Sequence, residues 1–154
     1  GNQEATEASF NAAGWFLSGD LGALDEKGNL TIHGRTKELI IRGGHNIHPS
    51  HIEALALRHP DVEKAAAFPV ADERLGEKVC LAVVGTTDGE GLLAHLAAEG
   101  LSRYDMPEWF LALDAFPLTA SGKILKRTLV REVHEGRLSP RPVRYAAEAK
   151  GERA

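Results

Sequence analysis

The chain has 154 residues, enough for one domain with something attached, and 43% of them are apolar, an ordinary share for a globular protein. A formal net charge of −4 argues against a nucleic-acid binder, which carries a basic surplus. No apolar stretch approaches the length of a membrane span.

The chain opens at Gly1 inside a polar segment, as an excised piece would. EATEASF (4–10) has the makings of a short helix ending before Gly14. GWFLSGDLGALDEKGNLTIHGR alternates like two strands around a loop at residues 25–29, where Gly28 supplies the positive φ that a hairpin needs. KELIIRGG is a short strand running into Gly43 and Gly44. PSHIEALALRHP is a helix with Pro49 at its first position; Ile52, Leu55 and Ala56 keep helical spacing, and His59-Pro60 stops it. VEKAAAFPVA and KVCLAVVG are strands joined by the polar turn ADERLGE. Cys80, the single cysteine, lies in the second of them, so it reads as a buried, inert thiol; without an internal partner it suits the cytoplasm.

DGEGLLAHLAAEGL is a helix, PEWFLALDAF a strand, and ILKRTLVREVHEG an amphipathic helix with Ile124, Leu125, Leu129 and Val133 on one side. Lys126, Arg127 and Arg131 form a basic face on that helix, read as solvated or as touching a phosphate. Residues 138–154 form a polar, Pro/Arg-rich tail, read as a poorly packed extension. The expected fold class is therefore α+β, a small antiparallel or mixed sheet packed by helices over 37–137. Residues 1–36 differ: a hairpin without helices is rarely stable alone and belongs to a larger body or pairs with a neighbouring copy in a homo-oligomer.

PLTASGKILKR (117–127) places Lys123 after a glycine and before a helix. It is not the phosphate-cradling loop, which needs Gly where Pro117 stands and Ser or Thr where Ile124 stands. His45, His48 and His51 recur every third residue, but Pro49 interrupts them and no Cys or carboxylate pair completes a zinc set; loop and helix-start histidines are the better reading.

Four stretches occur together: GWFLSGD (14–20), GRTKELIIRGG (34–44), NIHPSHIE (46–53) and PLTASGKILKR. Their order and spacing resemble the C-terminal end of the AMP-forming adenylating enzymes: acyl- and aryl-CoA synthetases, adenylation domains of peptide synthetases, and beetle luciferases. Each stretch alone is a weak signal.

The resemblance implies that residues 1–36 are the C-terminal edge of a large N-terminal adenylation domain, 37–137 a mobile lid, and 138–154 a tail. It matches Asp20 to a carboxylate that accepts hydrogen bonds from the ribose hydroxyls of ATP, and Arg35 to a second ribose- or phosphate-facing group. Lys37 stands at the hinge position, and Gly43 and Gly44 at the loop that lines the tunnel for the pantetheine arm of CoA. Lys123 matches the lysine that meets the carboxylate and phosphate oxygens during adenylation. Taken one at a time, these are a turn aspartate, a solvated arginine, two exposed lysines and a tight turn.

The implied activity is ligation of a carboxylic acid to CoA, with ATP cleaved to AMP and Mg²⁺ accompanying ATP through its phosphates. Ser18 stands where Thr is usual, and His51 where Glu is common. The family's phosphate loop, adenine platform and acyl pocket lie upstream of these motifs, so medium-chain, alicyclic and aromatic acids all remain open, and the piece alone is expected to be inactive. Two other readings stay on the table: a peptide-synthetase lid serving a carrier protein, and a non-catalytic interaction module that kept the fold. RGGHNIHP reads more like a CoA ligase than the first, and joint retention of Asp20, Arg35 and Lys123 weighs against the second.

Overall fold

A computed structural model describes residues 20–146. The predicted helix at 4–10, most of GWFLSGD and the last eight residues of the tail lie outside them.

The described chain begins with a hairpin, β1 (Asp20–Leu24) and β2 (Leu30–Arg35), which forms its own two-stranded sheet. The Asp25 carboxylate closes its loop by accepting the backbone N–H groups of Lys27 (2.8 Å) and Asn29 (2.9 Å), with Gly28 at φ +80° as expected. Leu24, Leu30 and Ile32 on this hairpin are all more than half exposed.

A 3₁₀ turn, Thr36–Glu38, leads to β3 (Ile40–Arg42), β4 (His45–Ile47) and α1 (Pro49–Ala56). Next come β5 (Val62–Asp72), β6 (Gly76–Gly85), α2 (Gly89–Ala98), a 3₁₀ turn at Arg103–Asp105, β7 (Trp109–Ala112), α3 (Lys126–His134) and β8 (Arg141–Pro142). Strands β3 to β8 make a mixed six-stranded sheet. β5 and β6 pair antiparallel from Val62↔Gly85 to Asp72↔Gly76; α2 then carries the chain over to β7, which runs parallel to β6.

The continuous apolar runs of β5 and β6 are explained by burial on both faces. Alternate residues point to opposite sides of a strand, so each run feeds two cores. Ala65, Ala67, Val79, Leu81 and Val83 meet Ile52, Leu55, Leu92 and Leu96 of α1 and α2. Ala66, Phe68, Cys80 and Ala82 meet Leu129 of α3 together with Leu111 and Phe116. The antiparallel and mixed sheet with helices on it is the α+β domain expected.

Cys80 is fully buried, and burial pushes its thiol up to about 12. Because the thiolate is the reactive form, an aromatic disulfide reagent should label Cys80 at neutral pH only as fast as the domain opens. Rapid labelling of the native protein, unaffected by mild denaturant, would contradict this packing.

Several boundaries differ from expectation. The α1 helix ends at Ala56, and tight i→i−3 hydrogen bonds from Arg58 and His59 carry the chain to Pro60. β7 is shorter than PEWFLALDAF. α3 starts at Lys126, because Ile124 is used in a bridge to Leu118. The tail is not loosely attached through residue 145: β8 pairs with β7, Val143 is buried in the core, and Tyr145 packs against it.

Candidate functional site

Lys123 projects from a braced loop. The Leu118↔Ile124 bridge closes a small hairpin, and Leu125 N–H donates to Pro117 O at 2.9 Å. Inside it, Thr119 N–H donates to Lys123 O (2.8 Å), Gly122 N–H donates to Thr119 O (2.9 Å), and Lys123 N–H donates to Thr119 Oγ1 (3.0 Å). Gly122 stands at φ +86°, a value that the turn needs and a side chain would resist. The Lys123 side chain is exposed and has no carboxylate within ion-pair distance among the described residues. A backbone held this firmly presents a charge without burying it.

Three residues on, the picture reverses. The Lys126 ammonium contacts the Glu53 carboxylate and lies 3.9 Å from Glu38, and it is only 24% exposed. Glu53 also accepts the Ala67 N–H at 3.0 Å. The expected basic face therefore loses Lys126 to an internal ion pair, while Arg127 and Arg131 remain exposed.

Asp20 and Arg35 are brought together by strand register, as direct partners across the β1–β2 ladder with Arg35 Nε 3.3 Å from Asp20 Oδ1. Lys37 is exposed in the 3₁₀ turn, between the extended residues Arg35 and Leu39.

Gly43 and Gly44 form the two-residue turn between β3 and β4, at φ +56° and +83°. Positive φ at both positions is what a tight hairpin of this hand requires. His45, expected in a loop, stands in a strand of three residues, too few to show alternation. His45 is in β4, with Nε2 2.7 Å from Asp105 Oδ1; His48 precedes α1 and His51 is exposed on it.

The glycine turn borders a groove of about 830 Å³ that sequence reasoning missed. Cations supply much of its wall: Arg42, Arg74, Lys78 and Arg144, with Tyr104 and Trp109 beside them. Arg42 contacts Glu108, whose other oxygen accepts the Val79 N–H at 2.9 Å. Lys78 lies 2.8 Å from Asp72 and holds that carboxyl below its ordinary range. Asp72 also accepts the N–H groups of Arg74 and Leu75, and Leu75 O accepts the Gly43 N–H at 2.8 Å. The turn ADERLGE, expected to be a plain connection, thereby fixes both the glycine turn and the groove's charge. RPVRY in the tail carried a readable period of two, with Val143 facing in and Arg144 facing out.

The lysine loop and the glycine turn are anchored in different cores: Ile124 and Leu129 pack on the α3 side, Ile40 and Ile47 on the α1–α2 side.

Residues 51–123 match the family of AMP-binding enzyme C-terminal domains. The chain is 41% identical over 137 residues to the oxalate–CoA ligase of Arabidopsis thaliana, covering 87% of this chain and 26% of that one. It is 36% identical over 135 residues to the medium-chain fatty-acid–CoA ligase of Escherichia coli K12, covering 84% and 24%. Among solved structures, ATP-bound MatB from Rhodopseudomonas palustris superposes with a TM-score of 0.74 at 34% identity, covering 84% of this chain and 26% of that one. The o-succinylbenzoate CoA synthetase MenE of Bacillus subtilis, in complex with its acyl-adenylate intermediate OSB-AMP, gives 0.74 at 37% identity, covering 80% and 25%. The chain thus spans about a quarter of the length of these relatives.

Proposed function

The chain belongs to the AMP-forming acyl-CoA synthetases of the adenylating-enzyme superfamily, as their C-terminal portion, and from that premise we propose that it is the moving lid of an ATP-dependent carboxylic acid–CoA ligase. In the first half-reaction the substrate carboxylate attacks the α-phosphate of ATP, and pyrophosphate leaves. Two anions must approach and further charge gathers at phosphorus, so Lys123 enters the site as a compact positive charge. Asp20 accepts from the ribose hydroxyls, and Arg35, already beside it, orients that carboxylate and faces the nucleotide.

The lid then turns about Lys37 and withdraws Lys123. The glycine turn now faces the acyl-adenylate, and the pantetheine arm passes over Gly43 and Gly44. The CoA thiol, having given up its proton, attacks the acyl carbon; the thioester forms and AMP leaves. The groove beside the turn takes the anionic end of CoA. Mg²⁺ travels with the phosphates of ATP: no group of three His, Cys, Asp or Glu among the described residues would hold it.

The observation that carries this reading is the contrast between Lys123, exposed and without a carboxylate partner among the described residues, and a glycine turn with a cationic groove anchored in the other core. The exposed Leu24, Leu30 and Ile32 are assigned to the large adenylation domain, which also holds the acid. Among the described residues no helix is long and apolar enough to cross a membrane.

Full-length enzyme carrying this chain should convert a carboxylic acid, ATP and CoA to thioester, AMP and pyrophosphate in equal amounts. Release of ADP and phosphate, or acid activation that no thiol acceptor consumes, would refute the assignment.

A further inference from the structure

We propose that Arg144, two residues past the C-terminal strand β8, is a phosphate-binding residue for CoA. The proposal deepens the reading above and rests on it, because it takes the groove beside Gly43 as the place where the anionic end of CoA lies. Residue 144 lies beyond the stretch matched by the family, residues 51–123.

Of the four cations around the groove, two are neutralised internally. Arg42 is held by Glu108, and Lys78 by Asp72. Arg74 and Arg144 are exposed, and neither has a carboxylate within ion-pair distance among the described residues. A chain of net charge −4 therefore places two uncompensated guanidinium groups on one concave wall. Positive charge gathered in a concave site raises the local concentration of anions, and a guanidinium matches phosphate oxygens in pairs.

Arg144 is held there by built structure. Val143 N–H donates to Glu108 O at 2.9 Å, so the residue whose side chain fixes Arg42 also fixes the backbone next to Arg144. Val143 turns into the core and Arg144 turns out. At the near end of the strand, Arg141 makes two hydrogen bonds to Glu90, at 2.8 and 3.0 Å, and its guanidinium lies 5.5 Å from the centre of the Phe110 ring. That pairing holds the Glu90 carboxyl below its ordinary range. Gly89 leaves room for the strand: a Cβ there would come within 2.7 Å of Val143 Cγ1 and 2.8 Å of Arg141 Nη2. Hydrogen bonds at Arg141 and Val143 thus hold the backbone that leads to Arg144.

The test is steady-state thioester formation by the full-length enzyme with CoA and, separately, with pantetheine as acceptor. Arg144→Gln should raise KM for CoA by about tenfold or more, the scale of one lost charge-assisted hydrogen bond, with little change in kcat. The pantetheine KM should not move, since that acceptor has no phosphate. Arg144→Lys should recover part of the loss, and Arg137→Gln, the same charge change at an exposed residue paired with Glu135, should have no effect. An unchanged KM for CoA in Arg144→Gln overturns the proposal. So does an equal rise for CoA and pantetheine, which would make Arg144 a shaping residue only. A wild-type enzyme that forms acyl-adenylate but no CoA thioester would instead overturn the functional reading, and this proposal with it.

Discussion

Lys123→Ala in the full-length enzyme is expected to slow acyl-adenylate formation by roughly 10²–10³-fold, the effect of removing one oriented electrostatic group from a transition state. The reason is local. Within the described residues nothing neutralises Lys123, and its loop is closed by three backbone–backbone hydrogen bonds and by the Lys123 N–H to Thr119 Oγ1, none of which involves the ammonium. Truncation at Cβ therefore leaves the loop intact and removes only the charge. Pyrophosphate exchange into ATP measures the first half-reaction alone, and conversion of preformed acyl-adenylate by CoA measures the second. The variant should lose the first and keep the second. Equal loss in both would mean that Lys123 supports the lid's structure, and unchanged exchange would remove it from the chemistry. Thr119→Val is the companion variant: it deletes the hydroxyl that accepts the Lys123 N–H and should loosen the loop with a smaller loss of exchange.

How much of this was legible beforehand depended on the range of the forces involved. The β5–β6 pair could be read because burial on both faces leaves a continuous apolar run, and α3 because Leu129 and its neighbours recur at helical spacing. Gly28, Gly43 and Gly44 were legible as turns, and all three have positive φ. What escaped was set by distant partners. β4 is three residues long and exists because Ile40 and Ile47 pair across the glycine turn. β8 exists because Phe110 and Trp109 offer it an edge and Glu90 holds Arg141, thirty and more residues away in the chain. Lys126 looked solvated on its helix, and only the fold brings Glu53 to it.

The candidate site divides the same way. Lys123, Asp20, Arg35, Lys37 and the glycines stand out through motif order, whereas the groove is assembled from Arg42, from Arg74 and Lys78 of the β5–β6 hairpin, and from Arg144, on three separate segments. No local spacing connects all three segments.

Lys37→Pro should block thioester formation by roughly 10²-fold, the cost of leaving reacting groups out of position, while acyl-adenylate formation persists. Lys37 sits in the middle of a one-turn 3₁₀ segment whose flanking residues, Arg35 at φ −106°, ψ 139° and Leu39 at φ −58°, ψ 135°, are extended. A lid that turns here must change the torsions of very few residues, because Ile40 is already fixed in the core. Proline holds φ near −65° and drives the preceding residue, Thr36, away from the helical region, so it restricts two consecutive residues of the hinge. Lys37→Ala separates backbone from charge: it removes the ammonium and leaves the torsions free, so both half-reactions should stay near the original rates. Single-turnover assays of each half-reaction on the two variants decide the matter. A normal thioester rate in Lys37→Pro would move the hinge elsewhere, and an alanine variant as impaired as the proline variant would show that the side chain, not the swivel, is what residue 37 contributes.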